Sequence, residues 1–276
     1  MRGEQFPLSQ SPFAKLTWPT DGCVALILDG ASIPQIGQSI YEWSDGAVDA
    51  ECLYASTRWE SVSEFAPWLV WLKSDDHLVV RQFLERGARR EWGYFLMSGH
   101  GPDVLRTYLG QLLVIERAPG CEELLRMAHP EMARSIIGER QIRPLPELPV
   151  DVVQRIVSPN LVTGTWVIQE PAGPSEGVND PQSFGDVESL NATFLAFNRR
   201  RNNLLLWDLL DSHMREWLGG ASLSAAYTKL SSKTFQAEQQ GHRNPREQMR
   251  YLLEQFRKDE QTRIDASNEL NLMDEQ

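Results

Sequence analysis

The sequence predicts an α+β protein: an N-terminal part in which strands and helices alternate to build a mixed α/β sheet domain with helices packed on it, then a helical C-terminal part. Three observations lead there. Short apolar runs alternate with helix-period patterns between Asp21 and Gly138. Pro144, Pro146 and Pro149 make a stiff extended connector. Beyond Asp186 every apolar stripe has helical spacing. The expected organisation is an N-terminal extension over 1–20, a mixed α/β domain over 21–141, a Pro/Gly-rich connector with one strand over 142–185, and a helical domain over 186–276.

Cys23 to Leu28 is a continuous apolar run, as expected of a strand covered on both faces, and Asp29-Gly30 ends it. Ser32 is placed to cap a helix carrying Ile33, Ile36, Ile40 and Trp43 on one face, stopped by Asp45-Gly46. Strands are expected at Cys52–Ala55 and Leu69–Leu72, then a helix capped near Ser74, carried by Val80, Phe83 and Leu84 and closed at Gly87. Trp92–Met97 reads as the next strand, and Ser98-Gly99-His100-Gly101 leads into a helix with Pro102 first, where the missing N–H costs nothing. Leu112–Glu116 and Glu122–Met127 flank Ala118-Pro119-Gly120 as a hairpin, and a short helix runs from Pro130 to Ile137.

After the connector come a strand at Thr165–Gln169 and a loop from Glu170 to Gly185. Asp186 would cap one long helix reaching Gly219-Gly220, Ser222 would start a second, and Asn244, Pro245 and Glu247 form a capping box for a third. Residues 257–276 are mostly polar and are expected to fray.

Composition narrows function by exclusion. The 27 Lys and Arg against 38 Asp and Glu give a net charge of −11, spread evenly along the chain, which disfavours nucleic acid and anionic membrane. No run approaches the ~20 apolar residues of a membrane span and no secretory leader is visible, so the expected compartment is the cytoplasm. Three cysteines without a CxxC pair, and five singly scattered histidines, offer no disulfide framework and no metal-ligand spacing; no cofactor is expected. The nine tryptophans are many for this length, and supply either core area or interface anchors. Trp43, Trp92 and Trp207 fall on faces expected to be buried, whereas Trp59, Trp68 and Trp217 lie near loops or element ends. These last three, with the basic run Arg199, Arg200 and Arg201, are the candidate partner-binding residues.

An enzyme reading rests on Asp29, Ser98 and His100, each just past an expected strand, where ligands gather in α/β sheets. Against it, the chain has no GxSxG elbow, phosphate loop, dinucleotide fingerprint or HExxH helix, and both segments also read as plain turns. An acidic immunity or regulatory protein that meets a basic toxin domain is a further alternative.

The order of five short segments resembles a family, the type VI secretion effector adaptors of the Tap/Tec type. They are Leu26-Ile27-Leu28-Asp29-Gly30-Ala31, Leu53-Tyr54-Ala55-Ser56-Thr57, Ala66-Pro67-Trp68-Leu69-Val70-Trp71-Leu72, Trp92-Gly93-Tyr94-Phe95-Leu96-Met97-Ser98 and Arg126-Met127-Ala128-His129-Pro130. The resemblance marks Asp29, Gly30, Tyr54, Pro67, Trp92, Gly93, Arg126 and Pro130 as motif positions, structural or interfacial. It implies a cytoplasmic, non-catalytic adaptor whose partners are a toxin effector and the VgrG spike or its PAAR tip. One departure stands out: His129 replaces the Asp usual before the Pro, a residue whose plain role is to cap the helix. If that acid normally pairs with the Arg three residues before it, Arg126 needs another partner here.

Overall fold

The computed structural model describes residues 4–118, 121–138, 147–171 and 187–274. The Pro144 and Pro146 of the connector, the turn at Pro119-Gly120, most of the loop from Glu170 to Gly185 and the Asp186 cap lie outside the described residues. The α+β class holds. Met1–Thr193 and Phe194–Gln276 form two compact units.

The first unit is built on seven strands: β1 (Glu4–Pro7), β2 (Cys23–Asp29), β3 (Ala50–Cys52), β4 (Pro67–Leu72), β5 (Gly93–Ser98), β8 (Arg155–Asn160) and β9 (Thr165–Gln169), in the order β1-β9-β8-β5-β2-β4-β3. A separate hairpin joins β6 (Val114–Ala118) to β7 (Cys121–Leu124). Every described pairing is antiparallel, so the sheet is not the mixed one expected from alternating strands and helices. Strands β1 and β8 come from stretches read as an extension and a connector; they pair through β9 and β5 into the same sheet.

The continuous apolar runs place β2 and β5 at the centre, buried on both sides. Alternation assigns the faces. Val24, Leu26, Leu28, Phe95, Met97, Val157 and Trp166 share one core with Ile36 and Ile40 of α1 (Ile36–Trp43) and Val79, Val80 and Phe83 of α2 (Leu78–Gln82) and the π-type turn Phe83–Gly87. The alternate residues Ala25, Ile27, Tyr94 and Leu96 are buried on the second face, where the Tyr94 hydroxyl donates to the Met127 carbonyl at 2.9 Å. That face also carries α4 (Pro130–Ala133) and the turn after it, from which Arg134 donates to Ser158 Oγ and the Pro159 carbonyl of β8. Helix α3 (Pro102–Gln111) starts on its proline as expected.

Local capping departs from the sequence reading at two places. Ser32 does not cap α1, which begins four residues later at Ile36, after Gln35 at φ 50°. Ser74 does not cap α2; the imidazole of His77 does, its Nδ1 accepting the Val79 N–H at 3.2 Å. The strand expected at Cys52–Ala55 is shorter and earlier, and turns follow it.

The second unit contains most of α5 (Val187–Leu209), with α6 (Ser212–Trp217), α7 (Leu223–Gln239) and α8 (Pro245–Asp274). The single helix expected up to Gly219 is two: Asp211 takes an extended backbone and its side chain accepts the Met214 N–H at 2.8 Å, starting a new helix. The capping box forms as read, Asn244 accepting from the Glu247 N–H and the Glu247 carboxylate from the Arg243 N–H, and this last bond is the main cause that lowers the Glu247 pKa. Leu206, Trp207, Leu210, Met214, Trp217, Leu230 and Leu252 fill its core.

Candidate functional site

The eight motif positions gather at one end of the first unit's sheet. Asp29 ends β2, opposite Pro67 at the start of β4, and its N–H donates to the Trp92 carbonyl at 2.8 Å. Gly93 opens β5 opposite Leu28, so close that a Cβ there would lie 1.9 Å from the Ile27 carbonyl oxygen. Gly30 meets the Ala66 carbonyl in the same way, at 2.5 Å for an added Cβ. Tyr54 is buried after β3, and the preceding Leu53 N–H donates to the Pro67 carbonyl.

Asp29 is the centre of this cluster. Its side chain is 2 % exposed and accepts four hydrogen bonds: from the Ala31 N–H to Oδ1, and from Ser32 Oγ, Arg126 Nε and Arg126 Nη2 to Oδ2, at 2.8 to 3.1 Å. Arg126 Nη2 also donates to Ser32 Oγ at 3.0 Å. Asp29 is therefore the partner that Arg126 finds without an acid at position 129. A buried carboxylate needs this degree of compensation to stay charged. Its charge, after burial, helps raise the Tyr54 and Tyr94 hydroxyls above the ordinary tyrosine range. Ser32, read from sequence only as a cap, completes the cluster; the signal was its position three residues after an Asp-Gly turn.

His129 does cap α4, its Nδ1 accepting the Glu131 N–H at 3.2 Å, while Nε2 faces Glu91 Oε2 at 3.8 Å. Glu91 is buried, has φ 51°, and its other oxygen accepts the Leu161 N–H at 2.9 Å. Nothing in the sequence reading had singled out Glu91. It ties the motif end to the turn between β8 and β9.

The arrangement does not assemble the triad. Asp29 and Ser98 sit at opposite ends of the sheet, because β2 and β5 run antiparallel with Cys23 opposite Ser98 and Leu28 opposite Gly93. Six residues of strand put them about 20 Å apart. Ser98 is fully buried and accepts the His100 N–H, and the His100 ring reaches Asp151 at 3.1 Å. The carboxyl ends of neighbouring strands share an edge only when the strands are parallel, and here they are not.

The candidate partner residues divide. Trp59 is half-buried with Arg58 stacked on its ring at 5.0 Å. Trp68 packs on the core and over Gly37, where a Cβ would meet its ring at 2.9 Å, and its Nε1 is buried with no acceptor among the described residues. Trp217 ends α6 but is not available to a partner: it is 7 % exposed, its Nε1 donates to Asp259 at 2.9 Å, and Phe256 meets it edge-on. Arg200 is buried, not solvated. Arg199 pairs with Glu238 at 2.8 Å over the Phe235 ring, and Arg201 is exposed. What the sequence did not single out is a second apolar side of α5. Leu195, Leu205 and Leu209 are 56, 51 and 73 % exposed, and Leu195 lies about four turns before Leu209 on the same side.

Residues 26–141 match the model of a protein family, the domain of unknown function DUF4123. All eight motif positions fall inside the DUF4123 match, and β1, β8, β9 and the helical unit fall outside it. No curated protein and no solved structure matches the chain. Among the described residues no helix is long and apolar enough to cross a membrane.

Proposed function

We propose that this protein is a non-catalytic adaptor of a type VI secretion system, which binds a toxin effector in the cytoplasm and helps load it onto the VgrG spike or its PAAR tip. The DUF4123 match carries the reading, because the segments that resemble effector adaptors lie inside the matched residues. Two features support it. The motif end is filled with mutually satisfied side chains, which suits a scaffold better than a reaction centre. The helical unit lies beyond the matched residues and exposes Leu195, Leu205 and Leu209, a surface fit for contacts particular to one effector.

The test is co-expression of the tagged protein with the effector encoded beside a spike gene. The effector should co-purify with it, and its secretion should fail when the adaptor is deleted while the spike is still exported. Replacing Leu205 and Leu209 by Asp should release the effector and leave the adaptor folded. An effector that is secreted normally without this protein overturns the reading.

A further inference from the structure

A cleft of about 570 Å³ opens at the other end of β2 from the motif cluster. Its volume falls among those of sites that hold small molecules or short peptide segments, roughly 300 to 1,000 Å³. Trp18 and Trp71 line it together with Asp49, Glu51, Lys73, Asp103 and Arg106.

The polar groups are arranged unevenly. Trp71 Nε1 donates to Glu51 Oε1 at 2.9 Å, so the indole has spent its one donor and offers a ligand only its ring. Glu51 Oε2 meets Arg106 at a long 3.4 Å, and Arg106 is held more closely by Asp103 on its own helix. Asp49 is exposed, and its carboxylate has no partner among the described residues. Three carboxylates thus line a cleft with aromatic walls beside two cations, an exposed Lys73 and Arg106, whose guanidinium is half exposed and shared between two acids.

We infer that this cleft is a docking site for an arginine-bearing extended segment of a partner protein, the guanidinium entering between Trp71, Glu51 and Asp49. A planar guanidinium stacks on an indole and forks onto a carboxylate, which an ammonium does less well. The arginine stem suits the apolar walls. Arg106 already sits against Glu51, so the entering guanidinium takes over a contact the site makes with its own side chain. The inference extends the adaptor reading without resting on it.

The test is fluorescence anisotropy of a labelled Gly/Ser peptide containing two arginines, binding to the full chain without any secretion component. Matched peptides carry citrulline or lysine, and agmatine competes as the free guanidinium. The arginine peptide should bind saturably, the lysine peptide more weakly, and the citrulline peptide at least about tenfold more weakly. Glu51→Gln with Asp49→Asn should weaken the arginine peptide about tenfold, while Glu60→Gln, outside the cleft, changes nothing. Arg106→Ala should tighten it severalfold by removing the competitor. Equal binding of the citrulline peptide, indifference to the Glu51 and Asp49 changes, or no saturable binding overturns the inference. Agmatine binding as tightly as the peptide also overturns it, because the site then serves a small cation. Urea unfolding of each variant confirms that an altered affinity comes from a folded chain.

Discussion

At its Asp29 end, β2 places a carboxylate, a guanidinium and a hydroxyl in a cluster where every acceptor of Asp29 has a donor and the carboxylate is withdrawn from water. At its Cys23 end carboxylates and a guanidinium line an open cleft, where the Glu51 and Arg106 side chains keep a third and a half of their exposure. Both ends hold an Asp or Glu paired with an Arg. They differ in desolvation. A buried ion pair costs much to break because the orphaned charge stays buried, whereas an exposed pair contributes little and its groups remain available. The eight motif positions lie at the closed end, while the segment from Ala66 to Leu72 runs along the sheet and brings Trp71 and Leu72 to the cleft.

The hardest test of that contrast is Gly93→Ala. The added methyl would sit 1.9 Å from the Ile27 carbonyl oxygen in the central β2–β5 pairing, a clash with backbone that no rotamer relieves. The loss should exceed about 4 kcal/mol, leaving no cooperative urea transition. Gly101→Ala is the control: nothing lies within 4 Å of a Cβ there, and stability should stay within about 0.5 kcal/mol. Next in size, Asp29→Ala should cost about 3 kcal/mol by stranding Arg126. Adding Arg126→Ala should cost less than the sum of the two. At the open end Glu51→Gln should change stability by about 1 kcal/mol or less. Equal losses at Asp29 and Glu51 would erase the distinction.

The fold class and most elements were legible because long apolar runs and caps are local signals: β2, β5, α3 and the Asn244 capping box lie close to where they were read. Strand direction was not. Alternating strands and helices suggest parallel crossovers, but a sequence does not say whether a helix returns the chain to the same end of the sheet, and that one error invented the Asp29, Ser98 and His100 triad. Strands β1 and β3 span four and three residues, too short for a period to show. The burial of Trp217 was hidden for a related reason. The two glycines after it do follow the end of α6, but α8 returns from 42 residues later to bury the indole and accept its N–H. Asp29 and Arg126 were both singled out, but 97 residues separate them, and only the folded hairpin and sheet bring them together.

A milder perturbation compares the two ends by titration. Burial pushes the Cys23 thiol from 9.0 up to about 11 at the open end, outweighing a hydrogen bond with Ser98, and drives the Tyr94 hydroxyl well above its ordinary value at the closed end. Both groups are held protonated by folding, and the unfolded chain loses those protons first. Stability should therefore fall as pH rises from about 9 toward 11. The urea midpoint should follow this decline. Tyr94→Phe should flatten it more than Cys23→Ala, because Tyr94 is wholly buried and Cys23 only partly. A larger effect from Cys23 would place the drier environment at the cleft.

The smallest expected effect concerns His129, where the chain departs from the Asp that the resemblance leads one to expect. An Asp would cap α4 well in isolation, with an acceptor for the Glu131 N–H and a charge suited to a helix start. Here its neighbour is the buried Glu91 carboxylate, which the His129 Nε2 faces at 3.8 Å and which is fixed in place by the Leu161 N–H. An Asp at 129 would set two carboxylates against each other. His129→Asn keeps a neutral cap and should change stability by about 1 kcal/mol or less. His129→Asp should be the less stable of the two near neutral pH. Glu91→Gln should rescue His129→Asp, since the amide oxygen still accepts from Leu161 and the opposing charge is gone. If His129→Asp proves as stable as His129→Asn without that rescue, the histidine is an ordinary cap and not a residue matched to Glu91. The closed end would then tolerate charge changes as readily as the open one.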